Sequence, residues 1–182
     1  LSNYPAEDRS YVWGLQAMPG WNSKNNSESS FCVPIRQKVM SYAEVCLLKA
    51  EAALRGWNGA GDAKANYLAG IKASFEAERA MVSDASLYST ANDNTYMTTG
   101  KVEWKGDADF ETHLEQIITQ KWLALYPNGT EAWTEFRRTG YPKLTPVKVS
   151  MESTINAANG EFVKKLRYVD DELRENPNAS DK

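Results

Sequence analysis

The stretch "SYAEVCLLKAEAALRG", residues 41–56, constrains the fold more than any other part of the chain. Ser41 followed three residues later by Glu44 is a capping box, in which each side chain accepts from the other's backbone N–H and so starts a helix. Ala43, Leu47, Ala50 and Leu54 then recur at intervals of four, three and four, which gathers them into one apolar helical stripe. Gly56 tolerates left-handed backbone and predicts the helix end. The stripe is rich in Ala, so a neighbouring helix can approach closely. After the turn "WNGAG", Asp62 predicts the cap of a second helix running to about Met81, with Leu68, Ile71 and Phe75 on its buried side. Two helices joined by a short turn over about 40 residues form an antiparallel hairpin of tetratricopeptide type. One such unit cannot bury its own stripe, so its neighbours come from elsewhere in the chain or from sequence outside it.

The flanking segments are punctuated differently. Residues 1–39 mix Ser, Asn, Pro and Gly with scattered aromatics and hold no sustained period, which predicts a long loop region. Loop composition returns over residues 83–106. Asp107 or Asp109 opens a third helix bearing Phe110, Leu114, Ile117, Ile118, Trp122 and Leu125. Pro127-Asn128-Gly129 predicts a turn, because Pro blocks continuation and Asn-Gly accepts positive φ. Thr130 is the expected cap of a short fourth helix carrying Trp133 and Phe136, closed by Gly140 and Pro142. Residues 141–182 read as an irregular tail whose best apolar cluster is Phe162, Val163, Leu166 and Tyr168. The predicted fold is therefore all-α: a tetratricopeptide-like hairpin over 40–82, a second helix pair over 107–140, and long irregular loops.

Composition narrows the function classes. With 42% hydrophobic and 25% charged residues in 182, the chain has the mix of a folded protein with a real core. A net charge of −3 offers no basic face for nucleic acid. No run of about 18 apolar residues is present, so no segment reads as a transmembrane helix. The first ten residues carry neither the basic region nor the apolar stretch of a signal peptide, and the chain reads as a mature or truncated piece. Cys32 and Cys46 with the single His113 cannot build a tetrahedral zinc site. Cys46 falls inside a helical pattern and reads as a free buried thiol, with a Cys32–Cys46 disulfide as the minor alternative.

Catalysis finds little support. A glycoside hydrolase needs two carboxyl groups facing each other across a cleft at about 5–9.5 Å. Glu131 and Glu135 sit four apart on one helix and read as solvated charges near its start. Asp107 and Asp109 read as helix caps, with a Ca²⁺ ligand pair as the minor alternative. Asp170 and Asp171 read as surface charges. His113 has no Ser, Cys or second His nearby and reads as structural. No nucleophile elbow, P-loop or dinucleotide fingerprint occurs. No cofactor is implied.

The aromatics divide into two sets. Trp122, Trp133, Phe136 and Tyr141 lie on or beside helices at core spacing, and Trp57 is expected to pack back on the hairpin. Of Arg137 and Arg138, one is expected to pair with Glu131, Glu135 or the helix-end carbonyls and the other to be solvated. Trp13, Trp21, Tyr88, Tyr96 and Trp104 instead sit in polar loops beside Asn22, Lys24, Asn25, Asn92 and Asn94. Flat rings that stack on sugar C–H faces, with amides for the hydroxyls, make these five the candidate ligand-binding residues.

Three segments together resemble the SusD/RagB family of surface glycan- and nutrient-binding lipoproteins: "SYAEVCLLKAEAALRGW", "IITQKWLALYPNGTEAWTEFRRTGYPKL" and "KKLRYVDDELRENPNAS". The second is the most specific. The third departs from the family at Val169, where Pro is usual, and at Lys164-Lys165, where Arg is usual. The resemblance implies a C-terminal portion, residues 1–182, of a longer SusD-like domain, with a lipid anchor outside this chain. It further implies non-catalytic capture of an oligosaccharide or similar nutrient at the outer-membrane surface and delivery to a SusC-like TonB-dependent transporter. Two alternatives remain open at this point: a tetratricopeptide-type scaffold binding a protein along its helical groove, and a glycan-processing hydrolase.

Overall fold

The computed structural model describes residues 39–80, 89–146, 162–163, 168–176 and 178. Among these residues all regular structure is helical: α1 (Tyr42–Leu54), α2 (Ala63–Ala80), α3 (Asp93–Met97), α4 (Phe110–Ala124), α5 (Gly129–Thr139) and α6 (Asp170–Glu175). This is the all-α architecture that the periodicity predicts. The described residues up to Pro142 belong to one compact unit, and those from Lys143 onward to another that contains α6.

Helix α1 begins where its cap dictates. Ser41 has extended backbone, and its hydroxyl accepts from the Glu44 N–H at 3.1 Å. At the other end Gly56 adopts φ +74°. Its N–H donates to the Ala53 carbonyl and that of Trp57 to Ala52, which is the paired C-terminal motif that a left-handed glycine permits. Helix α2 starts on Asp62, whose Oδ1 accepts from Ala65 N at 2.7 Å. Ala43, Leu47 and Ala50 of α1 are buried against Tyr67, Ile71 and Ala73 of α2, with Leu54, Leu68 and Phe75 at the margin. Gly70 lets the two helices close: a Cβ there would lie 2.5 Å from Leu47 Cγ and 3.3 Å from the Ala43 carbonyl oxygen.

Helix α4 is the central element. Asp109 caps it, accepting from Thr112 N at 2.8 Å, and this backbone hydrogen bond holds the Asp109 carboxyl below its usual range. Leu114, Ile117, Ile118 and Ala124 are buried, but so are His113, Gln116, Gln120 and Lys121. Phe110 lies toward the surface under the Arg55 guanidinium, 5.4 Å from the ring centroid, and Trp122 is half-buried.

Several expectations need correcting. The cap of α5 is Asn128, not Thr130: the Asn128 side chain accepts from Glu131 N at 3.2 Å, and Thr130 is already helical. Asn128 has φ −73°, so the Pro127-Asn128-Gly129 turn needs no left-handed residue. At the far end Gly140 does take φ +75° and donates to the Phe136 carbonyl at 2.8 Å. Trp133 is half-buried beneath Arg137, whose guanidinium carbon sits 4.6 Å from its ring centroid, so neither Trp122 nor Trp133 belongs to the fully buried core. Trp57 is 67% exposed and does not fold back on the hairpin. Residues 93–97, read as loop, form the short helix α3. Cys46 is a free buried thiol as expected, while Cys32 lies outside the described residues.

In the second unit, α6 follows Val169 at its N-cap position, and Asp170 and Asp171 are exposed as expected. Arg174 pairs with Asp171 at 2.7 Å. Of the predicted tail cluster, Val163 and Tyr168 are exposed, Phe162 is half-buried, and Leu166 lies outside the described residues.

The close approach at Gly70 is directly testable. Gly70→Ala overpacks the α1–α2 contact at a cost of about 1–3 kcal/mol, more than the roughly 0.5–1 kcal/mol that Ala returns in helix propensity. A lower urea midpoint with an unchanged slope is the expected result.

Candidate ligand-binding surface

Of the five candidate ligand-binding aromatics, Trp13, Trp21 and Tyr88 lie outside the described residues. Tyr96 and Trp104 are both half-buried and both rest on the α1–α2–α4 core. Tyr96 reaches that position because α3 turns it inward. Its ring meets Phe75 edge-on at 5.3 Å between centroids, and its hydroxyl donates to Gln120 Oε1 at 3.2 Å. Beside it, Arg79 of α2 forms an ion pair with Asp93 at the start of α3.

Trp104 is held differently. Its indole stacks face to face on the His113 ring, 4.1 Å apart and 7° from parallel, and meets Tyr67 at 5.2 Å. The backbone on either side is tied to the helices by buried side chains. His113 Nε2 lies 2.6 Å from the Lys105 carbonyl oxygen, so the Nε2–H tautomer donates to it. The Gln116 amide donates to the carbonyls of Lys101 at 3.0 Å and Glu103 at 2.6 Å. Tyr67 donates to the Val102 carbonyl at 2.7 Å. Burial, assisted by the Tyr96 phenol, pushes the Tyr67 hydroxyl up from its ordinary pKa, which keeps it protonated as a donor. Four loop carbonyls are thus captured by three side chains from α2 and α4. His113 is structural as expected, and its partner is a loop.

Sequence reasoning missed Tyr67, Gln116 and Gln120. A usable signal was present for the first. Tyr67, Gly70 and Ile71 recur at helical spacing and mark the buried face of α2. Gln116 and Gln120 gave no comparable signal, because a glutamine's burial depends on which loop it must satisfy.

The carboxylates occupy an arrangement that their spacing did not reveal. Glu135 is not solvated; it is buried, and it is bound by Lys121 Nζ at 3.0 Å and by Arg138 at 2.7 Å. Arg138 also grips Glu51 of α1 through both terminal nitrogens, at 2.7 and 2.6 Å. Arg55 Nε adds a bond to the same carboxylate at 2.9 Å. Of the two arginines, Arg138 is therefore the paired one, as one of them was expected to be, while Arg137 lies over Trp133. Burial by itself pushes the Glu51 carboxyl up, but the hydrogen bonds and charges of Arg138 and Arg55 outweigh it and hold its pKa below the ordinary value of 4.5. Among the described residues no cluster of three or more metal-ligating side chains occurs.

A concavity opens between α2, the end of α4 and the start of α5. It holds about 510 Å³ and is lined by Trp122, Leu123, Tyr126, Pro127 and Ala132, with Ser74, Glu78 and Asn128 at its polar points. Leu123 and Tyr126 are 48% and 56% exposed. The α4–α5 hairpin therefore presents an apolar cleft.

Removing Glu135 leaves Lys121, 1% exposed, as a buried charge without its carboxylate. Glu135→Ala is expected to cost about 3–5 kcal/mol in guanidinium unfolding, and the double variant Lys121→Met, Glu135→Leu to recover most of it. The Glu51 shift sets a pH dependence. Its folded pKa lies below the unfolded value, so its contribution is present above about pH 4.5 and is lost as the pH falls through the folded value. Arg138→Leu should flatten the acid limb of a thermal-melt series below pH 4.5.

Comparisons with known proteins agree with this architecture. The family model described as SusD-like, for SusD and RagB outer membrane lipoproteins, matches residues 16–182. A SusD homologue from Bacteroides ovatus is 41% identical, with a TM-score of 0.57 over 74% of this chain and 30% of its own. A SusD homologue from Bacteroides thetaiotaomicron is 38% identical, with a TM-score of 0.59 over 75% of this chain and 31% of its own. A chitin-binding SusD homologue from Flavobacterium johnsoniae is 40% identical, with a TM-score of 0.55 over 74% and 30%. The chain thus spans under a third of the length of these solved relatives. No curated protein matches it. With a family model covering nearly its whole length and relatives of this identity sharing its helices, the chain belongs to the SusD-like family of SusD and RagB outer membrane lipoproteins.

Proposed function

We propose that the protein captures an oligosaccharide or similar nutrient at the outer-membrane surface, without altering it chemically, and passes it to a SusC-like TonB-dependent transporter. The observation that carries this reading is membership of an outer-membrane lipoprotein family in which one similar protein is a chitin-binding homologue. Trp13, Trp21, Tyr88, Tyr96 and Trp104 are the residues to which we assign the ligand contacts. Aromatic faces receive the sugar C–H surface, and amide and hydroxyl groups nearby receive the sugar hydroxyls.

The electrostatics favour capture over cleavage. A glycosidase needs a carboxylic acid with a raised pKa opposite a second carboxyl group. Glu51 is shifted the other way, and Arg138 bridges it to Glu135. Both carboxylates are engaged in holding helices together.

The apolar cleft at Trp122, Leu123 and Tyr126 favours a second reading, a protein-binding scaffold. An array of glucose, xylose, mannose and N-acetylglucosamine oligosaccharides, applied to the full-length protein, separates the readings. Retention of a glycan with no change in its mass is the expected outcome. Cleavage, or a failure to retain any of them, overturns the capture reading.

A further inference from the structure

We infer that Tyr67, Gln116 and His113 are positioning residues for ligand binding, holding the 101–105 loop so that Trp104 is presented as a fixed ring before any ligand arrives. The inference rests on the capture reading above and goes beyond it by naming side chains that touch no ligand. Its geometric basis is the clasp itself. Gln116 Nε2 spends both hydrogens on the Lys101 and Glu103 carbonyls, Tyr67 takes Val102, and His113 takes Lys105 while stacking on the Trp104 ring.

Loop carbonyls at a protein surface ordinarily turn to water. Here they are turned inward onto polar groups that two helices keep almost fully buried. If Trp104 served only to cover the core, apolar side chains at 67, 113 and 116 would do so without the cost of desolvating a phenol, an imidazole and an amide. The polar choice has a different consequence. Each captured carbonyl removes backbone freedom from the loop, and the parallel His113 ring sets the tilt of the indole. Ordering an aromatic platform in advance lowers the entropy that a ligand must otherwise supply on binding. Lys101, Glu103 and Lys105, carried on the same backbone, are exposed.

The test uses the full-length protein and two variants that delete hydrogen bonds while keeping volume, Tyr67→Phe and Gln116→Leu, with Trp104→Leu as the reference for loss of the ring. Hydrogen–deuterium exchange at residues 101–106 reads the clasp. Calorimetric titration with tetramers of glucose, xylose, mannose and N-acetylglucosamine reads affinity. The expected result is faster exchange at 101–106 in both clasp variants and about three- to tenfold weaker binding of whichever tetramer the wild type retains, with Trp104→Leu weaker still. Unchanged exchange overturns the clasp. Faster exchange with unchanged affinity overturns the positioning role and leaves capture intact. If the wild type binds none of the tetramers, the capture reading fails and takes this inference with it.

Discussion

The Arg138 guanidinium is the interaction on which the helical unit depends. It bridges Glu51 of α1 to Glu135 of α5, and Glu135 in turn neutralises Lys121 of α4. Helices α1, α4 and α5 are thereby joined through one cluster of opposite charges. Desolvating such charges is expensive, and the cluster is tolerated because each ion has an opposite partner at hydrogen-bond distance. Among the described residues no buried side-chain polar atom lacks a partner, so the cost is offset throughout. Apolar contacts hold α1 to α2. The ion cluster sets where α5 lies against α1 and α4, because a bidentate guanidinium–carboxylate pair accepts few orientations.

Helix α4 extends the same logic to the loops. One part of its surface supplies Lys121 to the ion cluster, and another supplies His113 and Gln116 to the loop carrying Trp104. Gln120 holds Tyr96. The helix's four buried polar residues, His113, Gln116, Gln120 and Lys121, each satisfy a particular neighbour. Scaffold and candidate site are therefore coupled through a single element. A change in α4 that shifts its register would disturb both the α5 ion pairs and the Trp104 loop.

Local signals were legible wherever the physics is local. Ser41, Asp62 and Asp109 act as caps because a short side-chain oxygen reaches a backbone N–H two or three residues ahead, whatever surrounds it. Gly56 and Gly140 adopt positive φ for an equally local reason. Where two local signals competed, the choice was not legible. Asn128 and Thr130 are both good caps, and the turn out of α4 decided for Asn128. Glu135 was misread because part of its surroundings comes from another helix, which spacing within α5 does not reveal. Four residues from Glu131, it resembled a solvated helix charge until α4 brought Lys121 against it.

The same division governs what can be said of function. The sequence by itself determined the all-α class, the capped helix pairs and the family motifs, because each is carried by residues close together along the chain. Only the tertiary structure decided that Trp104 stacks on His113, that Gln116 and Tyr67 hold the loop around it, and that Trp122 and Tyr126 line a cleft. Those facts arise from non-local contacts, in which a side chain's role is set by the partner that folding places opposite it. Periodicity tells which face of a helix turns inward. It does not tell what waits there.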